Sequence, residues 1–473
     1  MQVPNVLQRI VQHKREEVAE RKKVRPVTEF INDLRPSSKD FQQALAGEAK
    51  SFIMEYKKAS PSRGDIRPDL DVEELLKAYQ PCADAISVLT DEKFFSGSHK
   101  NLQRVAQLTD KPVLCKDFFV DTYQVYEARL FGADAILLML SVLTDSEYRQ
   151  LAEVAASLNL DILTEVHSEA ECQRALNLGA AIIGINNRDL KSLTTELTVT
   201  EKLAPLINNG SLIISESGIE SRADAARLAP IVDGFLVGSS LMSAPDIGVA
   251  AKALAYGRVK ICGVKTEQEA RCAFESGATY VGLMFFPDSA RAIEPSLAQA
   301  ISASIEGRYV GVFVNQSEDF ILTMVETCHL EVVQLHGNES PDMIQSLRKQ
   351  LPGGVSIWKA LAANQADLAQ SILYYNSCCD KLLFDCQVNE AFGGNGQSFD
   401  WRLLSAIRDQ VGDDSRIIVA GGIDQKNVSQ LTHMTAITLD LSSGVERAKG
   451  IKDLALINAF FQQLKCFAAE QPE

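Results

Sequence analysis

Two consecutive sets of eight short apolar runs, each followed by a longer polar, helix-like segment, constrain this chain more than any other feature. The first set is 52–54, 85–89, 113–115, 135–138, 162–163, 182–185, 212–214 and 235–237. After Ala255-Tyr256-Gly257 the count restarts with 259–262, 280–283, 310–313, 332–335, 355–358, 382–384, 417–419 and 437–439. Such alternation implies βα units on a parallel sheet. Eight units favour a closed barrel over an open doubly wound sheet, and no GxGxxG follows the first run to suggest a dinucleotide site. The 473 residues accommodate two barrels of somewhat over ~200 residues each. The expected fold class is therefore α/β, with two consecutive (β/α)8 barrels over 1–256 and 257–473. Ahead of the first run, Val6, Leu7, Ile10, Val11 and Val18 fall on one helical face, Pro36-Ser37-Ser38 breaks the pattern and 40–46 resumes it. The first barrel should thus carry extra N-terminal helices.

The end of each set repeats a second pattern. Leu212-Ile213-Ile214 leads into Ser215-Glu216-Ser217-Gly218-Ile219, and Gly234-Phe235-Leu236-Val237 into Gly238-Ser239-Ser240. Later, Ile417-Ile418-Val419 leads into Ala420-Gly421-Gly422-Ile423, and Ile437-Thr438-Leu439-Asp440 into Leu441-Ser442-Ser443-Gly444. Glycine lets backbone approach an anion closely, and N–H groups opening a helix hold it. In barrels of this class the phosphate site lies after the seventh and eighth strands. Each half should grip a phosphate.

The formal charge of −15 leaves no basic field for a nucleic-acid partner, so phosphate must be held by local donors. The longest apolar run, around 135–143, is too short to span a membrane, and the N-terminus has no apolar signal segment. The ten cysteines show no metal-like CxxC pair, which suits reduced thiols in a cytoplasmic protein. No metal site is expected.

Chemistry in such barrels sits at the carboxyl ends of the strands. In the first half these ends carry Glu55 with Lys57, Lys116, Glu165, Asn186 with Arg188, and Glu216. A closed barrel brings them into one mouth. Two lysines beside three glutamates perturb one another's pKa values and supply acid and base together. A structural ion-pair network is the alternative reading. In the second half the ends carry Lys260 and Cys262 on one strand face, His336, Lys359, Asp385 and Asp440, with Arg291 in a following loop. Singly, Cys262 reads as a small buried hydrophobe and His336 as a structural ring. Thr266 with Glu269 forms a candidate capping box.

The runs Glu55-Tyr56-Lys57-Lys58-Ala59-Ser60-Pro61-Ser62, Leu89-Thr90-Asp91-Glu92-Lys93-Phe94-Phe95, Leu114-Cys115-Lys116-Asp117-Phe118, Thr164-Glu165-Val166, Gly184-Ile185-Asn186-Asn187-Arg188-Asp189-Leu190 and Ser215-Glu216-Ser217-Gly218-Ile219 closely resemble indole-3-glycerol-phosphate synthase, over roughly 1–255. That family closes an indole ring on 1-(2-carboxyphenylamino)-1-deoxyribulose 5-phosphate with loss of CO2 and water. The resemblance implies Lys116 as general acid toward the substrate carbonyl. It makes Glu165 the base or its electrostatic partner, and has Lys57 hold the substrate carboxylate or phosphate. Glu55, Asn186 and Glu216 would line the pocket. Ser60, Ser217, Gly218, Gly238 and Ser239 would meet the phosphate, with Arg188 beside them. Phe95 and Phe118 suit an aromatic ring or plain core. No metal or organic cofactor is implied.

Lys260-Ile261-Cys262-Gly263, Phe286-Pro287-Asp288-Ser289-Ala290-Arg291, Gly311-Val312-Phe313-Val314-Asn315, Gln334-Leu335-His336-Gly337, Gly393-Gly394-Asn395-Gly396 with Phe399-Asp400-Trp401, and Asp440-Leu441-Ser442-Ser443-Gly444-Val445-Glu446 resemble phosphoribosylanthranilate isomerase, over about 258–465. The family performs an Amadori rearrangement of N-(5-phosphoribosyl)anthranilate. By resemblance Asp385 is the acid that opens the ribose, Cys262 the base that moves the sugar proton, and Arg291 the holder of the anthranilate carboxylate. Gly394, Gly396, Gly421, Gly422, Ser443 and Gly444 would surround the phosphate, with Lys260 and Asp440 among the binding groups. The second product is the first substrate, so the expectation is a fused, monomeric pair of consecutive enzymes of tryptophan biosynthesis. Its partners would be small phosphosugar–anthranilate molecules. A pair of aldolase barrels, with Lys116 as Schiff-base lysine, is the competing enzyme reading. A phospholigand sensor would keep the glycines and lose the acids and bases, and both sets are present.

Overall fold

The computed structural model describes residues 6–60, 64–189, 192–386 and 398–467. Gly394 and Gly396 lie outside the described residues. Two compact units divide after Ala251, within the helix Ile247–Tyr256.

The first unit is a closed eight-stranded parallel barrel of Ser51–Tyr56, Ala85–Leu89, Val113–Lys116, Ala135–Met139, Asp161–Val166, Ile182–Asn186, Leu212–Glu216 and Gly234–Val237. Consecutive strands are neighbours, and the first closes on the eighth through Ser51↔Gly234. All eight apolar runs became strands. Alternate residues face inward: Ile53, Ala85, Leu114, Ala135, Leu137, Leu163, Ile182, Ile214 and Leu236 form one buried cluster.

Two N-terminal helices join that cluster. Phe41–Leu45 has five residues, too few to persist alone. Its Asp40 cap contributes ~1 kcal/mol, and burial of Phe41 and Leu45 about 1.5–3 kcal/mol each, so packing decides. The helix Val6–Val24 buries Leu7, Ile10, Lys14 and Val18 along one stripe. The lysine in that stripe was not expected.

The second unit repeats the barrel with Arg258–Cys262, Tyr280–Met284, Tyr309–Phe313, Val332–Leu335, Ser356–Ala362, Lys381–Asp385, Ile417–Val419 and Thr438–Leu441. Val355 and Ile437, expected inside strands, precede them by one residue. Inside, Tyr280, Val310, Val312, Val332, Trp358, Leu383 and Ile418 pack together. Thr266 and Glu269 form the expected capping box at the helix Glu267–Ser276. No helix among the described residues is long and apolar enough to cross a membrane.

Candidate active sites

In the first barrel a cavity of about 430 Å³ opens at the carboxyl ends of the strands. Glu55, Lys57, Ser60, Phe95, Lys116, Phe118, Glu165, Asn186, Arg188, Ser217, Gly218, Gly238 and Ser239 all line it. Leu7 and Ile10 of the N-terminal helix supply apolar wall. The Phe95 and Phe118 rings lie 6.1 Å apart, inclined by 37°, both on the wall and against the core.

The charges are arranged around Lys116, the last residue of the third strand. Its Nζ donates to Glu216 Oε2 at 2.6 Å and lies 3.7 Å from Glu55 Oε2. Lys57 Nζ approaches Glu55 Oε1 at 2.6 Å. Burial alone would pull the Lys116 ammonium down, but Glu216, Glu55 and Glu165 outweigh it and hold its pKa above the usual lysine value. Burial also opposes ionisation of Glu55, yet Lys57 and Lys116 keep its pKa low. Glu165 goes the other way. Burial, then the Glu216 carboxylate, push it up to about 8 against the pull of Lys116 and of a hydrogen bond from Asn186. Glu55 and Glu165, both on this wall, are thus shifted in opposite directions, as carboxylates in contrasting environments are.

Glu216, expected on the pocket wall, sits behind Lys116 with a fully buried side chain. Glycine makes room for it: a Cβ at Gly184 would come 2.0 Å from Glu216 Oε1, and one at Gly238 would come 2.4 Å from Glu55 Oε1. The rim beyond the seventh and eighth strands has the expected turn chemistry. Ser217 and Gly218 have φ of 65° and 81°, and Gly238 precedes the short helix Ser239–Met242. Left-handed backbone at successive residues is the conformation that forms anion-binding concavities, and Ser217 and Gly218 both line the cavity.

Sequence reasoning missed what supports this mouth from outside. Lys14 Nζ lies 2.9 Å from Asp91 Oδ2 and 3.0 Å from Asp117 Oδ1. The signal was present, since Lys14 falls at the helical spacing of Leu7, Ile10 and Val18.

In the second barrel Cys262 and Lys260 share a strand face as expected, both buried. Lys260, expected to bind substrate, has a fully buried side chain and donates to Asp440 Oδ2 at 2.8 Å. Gly282 leaves the space they need, since its Cβ would lie 2.9 Å from Lys260 Cε and 3.0 Å from Cys262 Sγ. Burial raises the Cys262 pKa, while the Lys260 ammonium and its hydrogen bond pull it down. Lys260 itself stays protonated: burial works against its charge, and Asp440 and Cys262 prevail.

Arg291 reaches the same mouth and donates from Nε and Nη2 to the two oxygens of Glu446 at 2.7 and 3.0 Å. A Cβ at Gly263, whose φ is 76°, would strike Arg291 Cδ at 2.8 Å. Glu446, held also by Lys452 at 2.8 Å, is kept ionised with a pKa of about 2: burial opposes, and Arg291 and Lys452 prevail. Glu446 closes the last of the runs that resemble the isomerase but carried no expected role, and Lys452 was not singled out by the sequence. Asp385 ends the sixth strand, with His336 Nε2 at 4.0 Å from its Oδ2. Burial, with Lys359 and Lys260, lowers the His336 pKa to about 3, so the ring is neutral. Gly421 and Gly422 have φ of 84° and 63°, and Ser443 opens a short turn. A Cβ at Gly444 would meet Ile423 O at 1.9 Å, so the seventh and eighth loops close tightly there.

Comparison with known proteins agrees with this geometry. The model of indole-3-glycerol phosphate synthase matches residues 7–254. The model of N-(5′-phosphoribosyl)anthranilate isomerase matches residues 259–463. The tryptophan biosynthesis protein TrpCF of Vibrio parahaemolyticus is 45% identical over 98% of this chain and 95% of its own length. That of Salmonella typhi is 43% identical over 98% and 99%. That of Haemophilus influenzae is 41% identical over 97% of each.

Proposed function

This chain belongs to the bifunctional family that joins an indole-3-glycerol phosphate synthase to an N-(5′-phosphoribosyl)anthranilate isomerase of tryptophan biosynthesis, and we propose that the residues gathered at its two barrel mouths perform the two reactions in turn. The second barrel converts N-(5-phosphoribosyl)anthranilate into 1-(2-carboxyphenylamino)-1-deoxyribulose 5-phosphate. The first barrel cyclises and decarboxylates that product to indole-3-glycerol phosphate. The observation that carries this reading is the Lys116 ammonium in one aromatic-walled, glycine–serine-rimmed cavity with Glu165, whose pKa of about 8 makes its carboxylate a stronger base than an ordinary one.

Lys116 donates a proton to the substrate carbonyl as the ring closes. Glu165, oriented by Asn186, takes a proton in the later dehydration. Glu55 and Glu216 keep Lys116 charged and aimed. Lys57 and Arg188 hold the anionic groups, Phe95 and Phe118 flank the aromatic ring, and Ser60, Ser217, Gly218, Gly238 and Ser239 cradle the phosphate. In the second barrel Asp385 protonates the ribose ring oxygen, and Cys262, as thiolate beside Lys260, moves the sugar proton. Arg291 takes the anthranilate carboxylate, and Gly421, Gly422, Ser443 and Gly444 take the phosphate. Gly394 and Gly396 complete that cradle by resemblance alone.

Phosphoribosylanthranilate generated in situ tests the reading when its loss and indole formation are followed separately. Both should proceed, and loss without indole formation would defeat the assignment of the first barrel. The Glu165 pKa adds a sharper test. A base works as carboxylate, so synthase kcat/KM should climb with pH through about 8 and then level off. Glu165→Gln should remove that limb and let an intermediate accumulate. A rate that falls through the same range would make Glu165 an acid instead. Full turnover is expected in excess EDTA, because side chains supply each proton transfer; a loss that Zn²⁺ or Mg²⁺ restores would contradict this.

We place the functional division at Tyr256, where Gly257, with φ of 78°, ends the linking helix. Each barrel has its own acid, base and phosphate cradle, which supports a monomer. The ten cysteines without metal-like spacing support a cytoplasmic setting.

A further inference from the structure

The N-terminal helix Val6–Val24 buries a lysine where its spacing calls for an apolar residue. Lys14 touches two loops of the first barrel at once, through Asp91 after the second strand and Asp117 after the third. Both carboxylates have further tasks. Asp91 caps the helix Glu92–Phe95 by accepting from Phe94 N at 2.7 Å. Asp117 directly follows Lys116, and accepts from Thr90 Oγ1 at 2.8 Å and from Phe118 N at 2.7 Å. One ammonium therefore ties the segment carrying Phe95 to the segment carrying Lys116 and Phe118.

Charge at this depth is a poor way to gain stability. Removing an ion pair from water costs several kcal/mol per ion, and apolar replacements of the same shape are often as stable or better. The surroundings add no simpler explanation. Glu17 lies 2.9 Å from Lys14 but is partly exposed, and Arg21 is paired with Glu127 at 2.7 Å. His99 is held neutral with a pKa of about 4, by burial first and then by Arg21 and Lys14, against Asp117. What the cluster secures is geometry, because a buried ammonium that loses either carboxylate is left uncompensated at a cost of several kcal/mol, so the two loops are held at ion-pair distance from it, where apolar packing tolerates a slide.

We propose that Lys14 is a positioning residue for the synthase reaction: by clamping Asp91 to Asp117 it sets the separation of Phe95 and Phe118 around the substrate ring and the aim of Lys116. This rests on the site assigned above. It makes the N-terminal helix part of the synthase machinery and not only a cover on its barrel.

The test uses the full chain with supplied 1-(2-carboxyphenylamino)-1-deoxyribulose 5-phosphate, and circular dichroism and thermal unfolding of each variant. Lys14→Met should lower synthase kcat/KM by ~10²-fold, the scale for a misplacement of about 1 Å at reacting groups, with KM raised and kcat lowered together. Isomerase turnover in the same sample should stay within about twofold. Asp91→Asn, a neutral isostere, makes the same test if Lys14→Met fails to fold. The decisive measurement is a double-mutant cycle with Phe118→Ala. If Lys14 acts through the aromatic pair, its loss costs much less once Phe118 is gone. Additive losses, or synthase kinetics within twofold of the parent in a folded Lys14→Met or Asp91→Asn chain, overturn the proposal. Lys116→Ala separates the two levels. If that variant keeps synthase activity, the site assignment is wrong; if it loses activity while the Lys14 and Asp91 variants do not, only the positioning role fails.

Discussion

Lys116→Ala is expected to lower indole formation by ~10²-fold or more, the usual contribution of a positioned proton donor. Among the described residues of the first barrel, no other lysine on the cavity wall is placed between Glu55 and Glu216. Lys57, the other lysine on the cavity wall, is paired with Glu55 at 2.6 Å. Lys116 is also the group that reconciles the surrounding carboxylates. Its removal leaves Glu216 and Glu55 buried with less counter-charge, which costs about 3–5 kcal/mol when one partner of a buried pair is deleted. A stability measurement must accompany the kinetics, and Lys116→Met, which keeps the aliphatic length, separates lost packing from lost charge. Isomerisation should continue, so 1-(2-carboxyphenylamino)-1-deoxyribulose 5-phosphate should build up from phosphoribosylanthranilate. Near-normal indole formation in a folded variant would remove Lys116 from the mechanism. A lysine–carbonyl adduct trapped by borohydride with a triose phosphate would point to aldolase chemistry instead.

Cys262→Ala should do the reverse, abolishing isomerisation and leaving synthase turnover on supplied intermediate within about twofold. The thiol sits at the end of its strand, with Ser442 Oγ donating to its backbone oxygen at 3.2 Å and the Lys260 ammonium beside its sulfur. Burial raises the thiol's pKa, so the thiolate forms only as pH rises, and isomerase kcat/KM should keep increasing into the alkaline range. Lys260→Met removes the charge that favours the thiolate and should push the rise to still higher pH. Cys262→Ser, a far weaker acid, should stay inactive throughout. Loss of synthase activity in a folded Cys262→Ala chain would refute the model of two self-sufficient sites.

Both barrels were legible from local periodicity. An apolar run of strand length followed by an amphipathic helix is a short-range signal, and eight repeats leave few closed topologies. Topology then did much of the work for the sites. In a closed parallel barrel every strand ends at the same rim, so Glu55, Lys116, Glu165, Asn186 and Glu216 had to converge although more than a hundred residues separate the first from the last. The glycine turns after the last two strands of each barrel were readable for the same reason, because their requirement for left-handed or crowded backbone is local.

What the sequence did not determine is which charge each of those residues carries and which face each shows. Glu165 and Glu216 are the same residue type at matching strand ends, yet one is pushed up to about 8 on the cavity wall and the other lies buried against Lys116. Lys260 reads as a binding group and is instead fully buried against Asp440, 180 residues away. Arg291 is oriented by Glu446, 155 residues on. Lys14 falls in an apolar stripe, and only Asp91 and Asp117, from two separate loops, make its burial tolerable. The reason is common to all four. Periodicity reports where a side chain points, but the free energy of a buried charge depends on partners brought together by the closed fold, and that sum exists only in the tertiary structure.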